Sequence, residues 1–314
     1  MRFAWLVPVI AFGASACFPD YSVKETPGLE DGMVRIASNG ETFEFQIGDH
    51  ETGDMFPGSV EFDYDFDIDA YEVTVARYRT WVDLGYPNPC GDQTSGCALD
   101  GGSGPYEDEI RWNPVWNPRL SVDDSQYTKD QNCFGVGQGN YGSTTYMLPD
   151  NDDFPMTCVT WYLAAAFCGW EGKRLPTESE WLYVASSHGA FQYAWGNDTQ
   201  VGCDQATVNG CPFPVGVYDG TKPTVDGVYG MGDSVFEWTW DASWVDPDDW
   251  PIDESDFEGP DADEADPGHG RMRDGGAYWL PLTEPRLRND KFEAYRAATD
   301  SFDDAGFRCV RSVR

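Results

Sequence analysis

Two stretches in the first quarter of the chain alternate apolar and polar residues with a period of two. In Thr42 to Ile47 (TFEFQI) and Val60 to Val73 (VEFDYDFDIDAYEV), apolar side chains fall on one face and acids on the other. That pattern predicts half-buried strands. At Thr74 the period changes. From Thr74 to Leu84 the residues Val75, Tyr78, Trp81 and Val82 share one side of a helix, which Gly85 ends. A second helix is predicted from Thr160 to Trp170, and a third from Thr177 to Ser186. In the third, Thr177 stands at the N-cap and Glu180 three residues on, the spacing of a capping box.

Between these elements the patterning is lost. Pro87 to Pro155 is rich in Gly, Asn, Asp, Pro and Tyr and reads as long surface loops held by Cys90, Cys97 and Cys133. Asp241 to Asp266 is an acidic run with three Pro, read as a solvated loop because its carboxylates lack a D-x-D-x-D-G register. No internal repeat is present, so a single domain is expected from residue 32 to 314.

The N-terminus changes the picture. Arg2, an apolar run from Phe3 to Phe12 and the small residues Gly13 to Ala16 form a signal peptide over residues 1–16, too short for a stable membrane span. Residues 17–31 are polar, contain Pro and suit a tether. Two processing routes fit: diacylation at Cys17, giving a lipoprotein, or cleavage after Ala14-Ser15-Ala16, giving a soluble periplasmic or secreted product. An ordinary cut would leave Cys17 as a free thiol, which favours lipidation. Removing Cys17 from the nine cysteines leaves eight: Cys90, Cys97, Cys133, Cys158, Cys168, Cys203, Cys211 and Cys309. An even number in an exported chain implies disulfides. Phe18 supplies no inner-membrane retention signal of the Asp kind, so the expected location is the cell envelope, at the outer membrane or in the periplasm.

Charge narrows the partners. A formal net charge of -35 repels phosphate backbones, so nucleic acid is excluded as a partner. The three His lie far apart and no zinc-type C-x-x-C occurs, which argues against a His-rich metal site. There is no nucleophile elbow, hydrolase triad or phosphate-cradling glycine loop.

Six segments in order resemble one family. They are Phe66 to Gly85 (FDIDAYEVTVARYRTWVDLG), Pro155 to Ala185 with its Gly-Lys-Arg-Leu-Pro turn, Tyr193 to Asn197 (YAWGN), Phe213 to Val217 (FPVGV), Tyr229 to Trp240 (YGMGDSVFEWTW) and Gly306 to Val310 (GFRCV). Together they resemble the formylglycine-generating enzymes, or sulfatase-modifying factors. The resemblance runs from about Met33 to the C-terminus. It implies an α+β, C-type-lectin-like fold, loop-rich, with short twisted sheets and two main helices, stabilised by disulfides. It also implies a Cys168 to Cys309 bond clamping a helix to the last strand, worth about 4 to 5 kcal/mol in the chain-entropy model. Local spacing pairs Cys203 with Cys211; Cys90, Cys97, Cys133 and Cys158 can join in more than one way. Arg174 is expected to form an ion-pair network with Glu178 and Glu180, and Trp181, Trp195, Trp238 and Trp240 to anchor the core.

The family's chemistry is the point of departure. Its oxidases use two Cys a few residues after an R-G-G-S motif to bind copper(I), for which soft thiolates are suited. The corresponding stretch here, Met272 to Asp290 (MRDGGAYWLPLTEPRLRND), contains no Cys, and Ala277 stands at the motif's Ser. Copper-dependent formylglycine formation is therefore not expected, and no catalytic residue is assigned. The helical domain that supplies His ligands to the family's iron-dependent sulfoxide synthases is also absent. Calcium is the cofactor the resemblance implies, at a loop where Glu237 supplies a carboxylate and Gly232, Asp233 and Val235 supply carbonyls. Asp233-Ser234 replaces the family's usual Gly-Asn there.

Two functions follow as expectations. The first is a lipid-anchored envelope binding module for a peptide, glycan or protein, with Trp112, Trp116, Tyr127, Tyr141 and Tyr146 offering aromatic surface. The second is an envelope oxidoreductase with a non-Cys active site, in which Tyr278, Trp279 and Arg296 are candidates to line a cleft.

Overall fold

The computed structural model of the 314-residue chain describes residues 32–38, 40, 42–49, 55–100, 110–120, 133–134, 152–197, 223–232, 234–244, 269–277, 288–289 and 291–313. Its elements in chain order are β1 (Met33–Ile36), β2 (Thr42–Asp49), β3 (Met55–Glu61), β4 (Phe66–Asp69), α1 (Val75–Asp83), β5 (Cys97–Ala98), β6 (Arg111–Trp112), a 3-10 turn (Pro114–Leu120), β7 (Cys133–Phe134), α2 (Trp161–Trp170), α3 (Glu178–Ala185), β8 (Phe236–Trp244), β9 (His269–Asp274), β10 (Lys291–Ala297), β11 (Ser301–Phe302), β12 (Ala305–Gly306) and β13 (Val310–Ser312). The signal peptide, tether and Cys17 lie outside the described residues, as do Cys203 and Cys211.

Each predicted helix forms for the reason its sequence gives. Thr74, Thr160 and Thr177 cap α1, α2 and α3 with extended backbone and a side-chain oxygen that accepts from an N–H in the first turn. At α3 the capping box is complete: Glu180 N–H donates to Thr177 Oγ1 at 3.2 Å, and Thr177 N–H donates to Glu180 Oε2 at 2.9 Å. Helix α2 is apolar on all faces and buries Trp161 through Cys168, so it occupies the interior rather than the surface.

The strand reading needs one correction. Val60 to Val73 is not one strand but the end of β3 followed by β4, which belong to different sheets. Strand β4 is buried throughout and sits between β1 and β13 with antiparallel pairing on both sides. A six-stranded sheet runs in the order β12-β8-β9-β10-β2-β3. It is mixed: β8, β9 and β10 pair antiparallel, whereas β10 with β2 and β12 with β8 pair parallel.

The core divides in two. One part packs Tyr78 and Trp81 of α1 and Phe167 of α2 with Trp238, Trp240 and Phe307. The other packs Trp181 and Tyr183 of α3 with Phe43, Phe62, Phe66 and Met231. Trp181, Trp195, Trp238 and Trp240 are all buried, as anchors should be. Trp112 and Trp116 are buried too, with rings 5.3 Å apart, and Trp116 packs edge-on to Trp161. These two form part of the core and offer no surface for a ligand, because the loop carrying them folds inward onto α2. Tyr127, Tyr141 and Tyr146 lie outside the described residues. The acidic run also begins in order rather than in a loop, since Asp241 to Trp244 complete β8.

Cys168 and Cys309 are bonded across 141 residues, tying α2 to the segment before β13. Cys90 bonds Cys97, which resolves one open pairing, and Cys158 is also in a disulfide. No helix among the described residues is long and apolar enough to cross a membrane.

Candidate functional site

The Gly172 to Thr177 turn brings several charged groups inside. Gly172 has φ +74°, a conformation that costs glycine little, and it reverses the chain after α2. Lys173 then reaches Asp69 at 3.2 Å and Glu171 at 3.0 Å, while Arg77 meets Asp69 at 2.8 Å. Burial alone would raise the Asp69 carboxyl, but Arg77 and Lys173 outweigh it and hold Asp69 below the ordinary carboxylate range. Arg174 forms a two-pronged pair with Glu180, both bonds 2.6 Å, and its main chain bridges Val310 of β13 in both directions. Tyr64 donates to the same carboxylate at 2.9 Å. Asp100, not Glu178, is the second acid beside Arg174, at 3.6 Å. The expected Arg174 to Glu178 contact therefore does not form. Glu178 and Glu180 are two residues apart on a helix, so they point in different directions and one guanidinium cannot reach both.

Beneath α3 lies a second buried pair. Glu237 on β8 and Arg308 are fully buried, and Arg308 donates from Nε to Glu237 Oε2 and from Nη2 to Oε1, each at 2.6 Å. The indole N–H of Trp181 donates to Oε2 as well, at 3.0 Å. Arg308 also donates to the carbonyls of Asp69 and Tyr229, linking four segments of chain. Glu72 stands 3.9 Å from the same guanidinium without a hydrogen bond. Burial pushes its carboxyl up to about 7, against the attraction of Arg308 and with the repulsion of Glu237.

This geometry bears on the calcium expectation. Both oxygens of Glu237 are taken by a guanidinium and an indole, which does not fit a calcium-ligating carboxylate. Gly232 and Val235 are buried, and Asp233 lies outside the described residues. Among the described residues no group of three or more His, Cys, Asp or Glu converges as a metal site.

The stretch aligned with the oxidase motif begins at the end of β9. Gly275 has φ +85° and lies against Trp181 and Gly232, where a Cβ would come within 3.3 Å of the Trp181 ring, so any other residue there would be strained. Ala277 is fully buried. Tyr278 and Trp279 lie outside the described residues, and Arg296 is on β10 with its side chain undescribed. Counting back from Ala277 and the glycine pair, Asp274 occupies the position of the motif's Arg. The sequence carried this signal, an acid where the family has a base. It gains meaning only from the fold, which sets Asp274 opposite Glu237 across the β8–β9 ladder and makes it a neighbour of Glu178 and Asp241.

Comparison with known proteins agrees with this architecture. The chain matches the sulfatase-modifying factor enzyme 1-like domain over residues 21–313, which starts within the segment read as a tether. The formylglycine-generating enzyme of Bos taurus is 30% identical over 183 residues, covering 54% of this chain and 46% of that protein. The inactive C-alpha-formylglycine-generating enzyme 2 of Bos taurus is 35% identical over 100 residues, covering 28% and 33%. The chain thus spans about half the length or less of these curated relatives. Among solved structures, PvdO from Pseudomonas aeruginosa superposes with a TM-score of 0.54 at 18% identity, covering 90% of this chain and 94% of that one, a likeness of fold. With the domain match, the ordered motifs and the Cys168 to Cys309 clamp in agreement, this chain belongs to the formylglycine-generating enzyme (sulfatase-modifying factor) family.

Proposed function

We propose that the protein is an exported, lipid-anchored member of the family that lacks copper oxidase activity and serves in the cell envelope as a binding module for a peptide, glycan or protein. One observation carries this reading: Met272 to Asp290 holds no Cys, and Ala277 replaces the motif's Ser. Copper(I) needs soft ligands, and no thiolate is supplied where the family's oxidases place theirs. The likeness to a relative named as inactive supports the same direction. Export and lipidation rest on the leader and Cys17, and the absence of a nucleic-acid partner rests on the charge.

The test is copper(I) loading of the purified chain, followed by oxygen uptake on a cysteine peptide of the sulfatase type. No bound copper and no uptake are expected, and saturable binding to a peptide or glycan array should accompany them. Stoichiometric copper with oxygen consumption would overturn the reading. The second function, an oxidoreductase with a non-Cys active site, is favoured by the buried carboxyls of Glu178 and Asp274, because perturbed acids cluster at working sites. Oxygen uptake without copper would mark it.

A further inference from the structure

A buried carboxylate ordinarily meets a cation or several N–H and O–H donors, because an uncompensated charge in the interior is strongly unfavourable. Glu180 and Glu237 obey this rule. Glu178 and Asp274 do not. Glu178 opens α3, and its backbone N–H donates to Asp241 Oδ2 at 2.6 Å, fixing the first turn to β8. The main chain reinforces that contact, since Trp240 N–H of β8 donates to Pro176 carbonyl at 2.8 Å. Asp274 ends β9. Glu178 is 5% exposed and Asp274 2%, yet among the described residues Glu178 Oε1 and Asp274 Oδ2 have no hydrogen-bond partner.

The charged neighbours make the situation plainer. Those acting on Glu178 are Asp274 and Asp241; those acting on Asp274 are Asp241 and Glu237. All are acids. Burial first, and then this repulsion, raises both carboxyls well above the ordinary range, with a hydrogen bond from Thr239 opposing it at Asp274. The N-terminus of α3 contributes only about half a positive charge, too little to neutralise the group. Either a proton or a bound cation balances the pair.

We propose that Glu178 and Asp274 bind a hard divalent cation of the calcium or magnesium class between the first turn of α3 and the β8–β9 ladder, with Asp241 adding negative charge. Two unpartnered carboxylate oxygens are ligands for such an ion, which prefers oxygen to nitrogen or sulfur. No three acidic side chains among the described residues are placed to ligate one ion together, so the protein supplies two carboxylates and main-chain carbonyls or water complete the sphere. This site is distinct from the Gly232 to Glu237 loop, where Arg308 already neutralises Glu237.

The test titrates calcium, then magnesium, into the chelator-treated full chain by isothermal calorimetry, with thermal denaturation in parallel. Wild type is compared with Glu178→Gln, Asp274→Asn and Asp274→Arg, the last restoring the motif's base opposite Glu178. One ion should bind wild type and raise its Tm. Affinity should fall about tenfold or more in the Gln and Asn variants, while their Tm in chelator stays level or rises, separating lost binding from lost fold. Asp274→Arg should raise the Tm in chelator and remove binding. Undiminished binding in both the Gln and Asn variants would place the ion elsewhere and overturn the proposal. Failure of wild type to bind either ion would overturn it too, leaving a proton as what the pair holds.

Discussion

Glu180 and Glu178 stand two residues apart on the same short helix, both buried, and their surroundings are opposite. Glu180 receives Arg174, Tyr64 and the backbone N–H of Thr177. Glu178 faces Asp274 and Asp241. The same contrast recurs one layer down, where Glu237 is held by Arg308 while Asp274, its cross-strand neighbour, has an unpartnered oxygen. The paired acids are architecture: each joins segments distant in sequence, and each repeats a motif of the family. The unpaired acids mark where this chain departs from it, since Asp274 sits at the position of a motif Arg. Buried charge is therefore not one phenomenon here, and its partner decides whether it holds the fold together or calls for a ligand.

Breaking the satisfied side should have the largest effect. Arg308→Met leaves Glu237 and Glu72 buried without their cation and is expected to cost about 3–5 kcal/mol, read by urea denaturation at neutral pH. Neutralising the unsatisfied side should act in the opposite direction. Asp274→Asn or Glu178→Gln is expected to raise stability by about 1–3 kcal/mol at mildly alkaline pH in the presence of chelator, because a desolvated charge with no cationic partner among the described residues is removed. The smallest effect sharpens the comparison at the helix itself. Thr177→Ala removes one half of the capping box and should cost about 1 kcal/mol, with the Arg174 to Glu180 pair intact. A loss several times larger would mean that the cap and the ion pair act as one unit.

Much of the satisfied side was legible in the chain. The capping box, the Gly-Lys-Arg-Leu-Pro turn and the Cys168 to Cys309 clamp follow from short motifs whose partners lie on one helix or repeat a known family pattern. Arg308 as the partner of Glu237 was not, since 71 residues separate them and only the β8–β12 pairing brings them together. The burial of Trp112 and Trp116 was hidden for a related reason: a Gly- and Pro-rich stretch shows no periodicity even when its aromatics point inward. In sequence the two acids of the first turn, Glu178 and Glu180, look equivalent as partners for Arg174, whereas the helix allows only one to face the turn.

Titration tests the contrast most directly. A carboxyl whose folded pKa lies above its unfolded value contributes stability that is present in full below the unfolded pKa and is lost as pH rises through the folded pKa. Glu178 and Asp274 are both raised, so in chelator the wild-type chain should lose stability as pH increases from the ordinary carboxylate range upward. Glu72 adds a component of the same sign between 4.5 and about 7. That component is common to wild type and to an Asp274→Asn variant and cancels in their difference. The decisive measurement is the stability of both proteins by chemical denaturation across this range. The account predicts curves that diverge with rising pH, with the variant falling less steeply; parallel curves would contradict it, showing that Asp274 and Glu178 are as well compensated as Glu180 and Glu237.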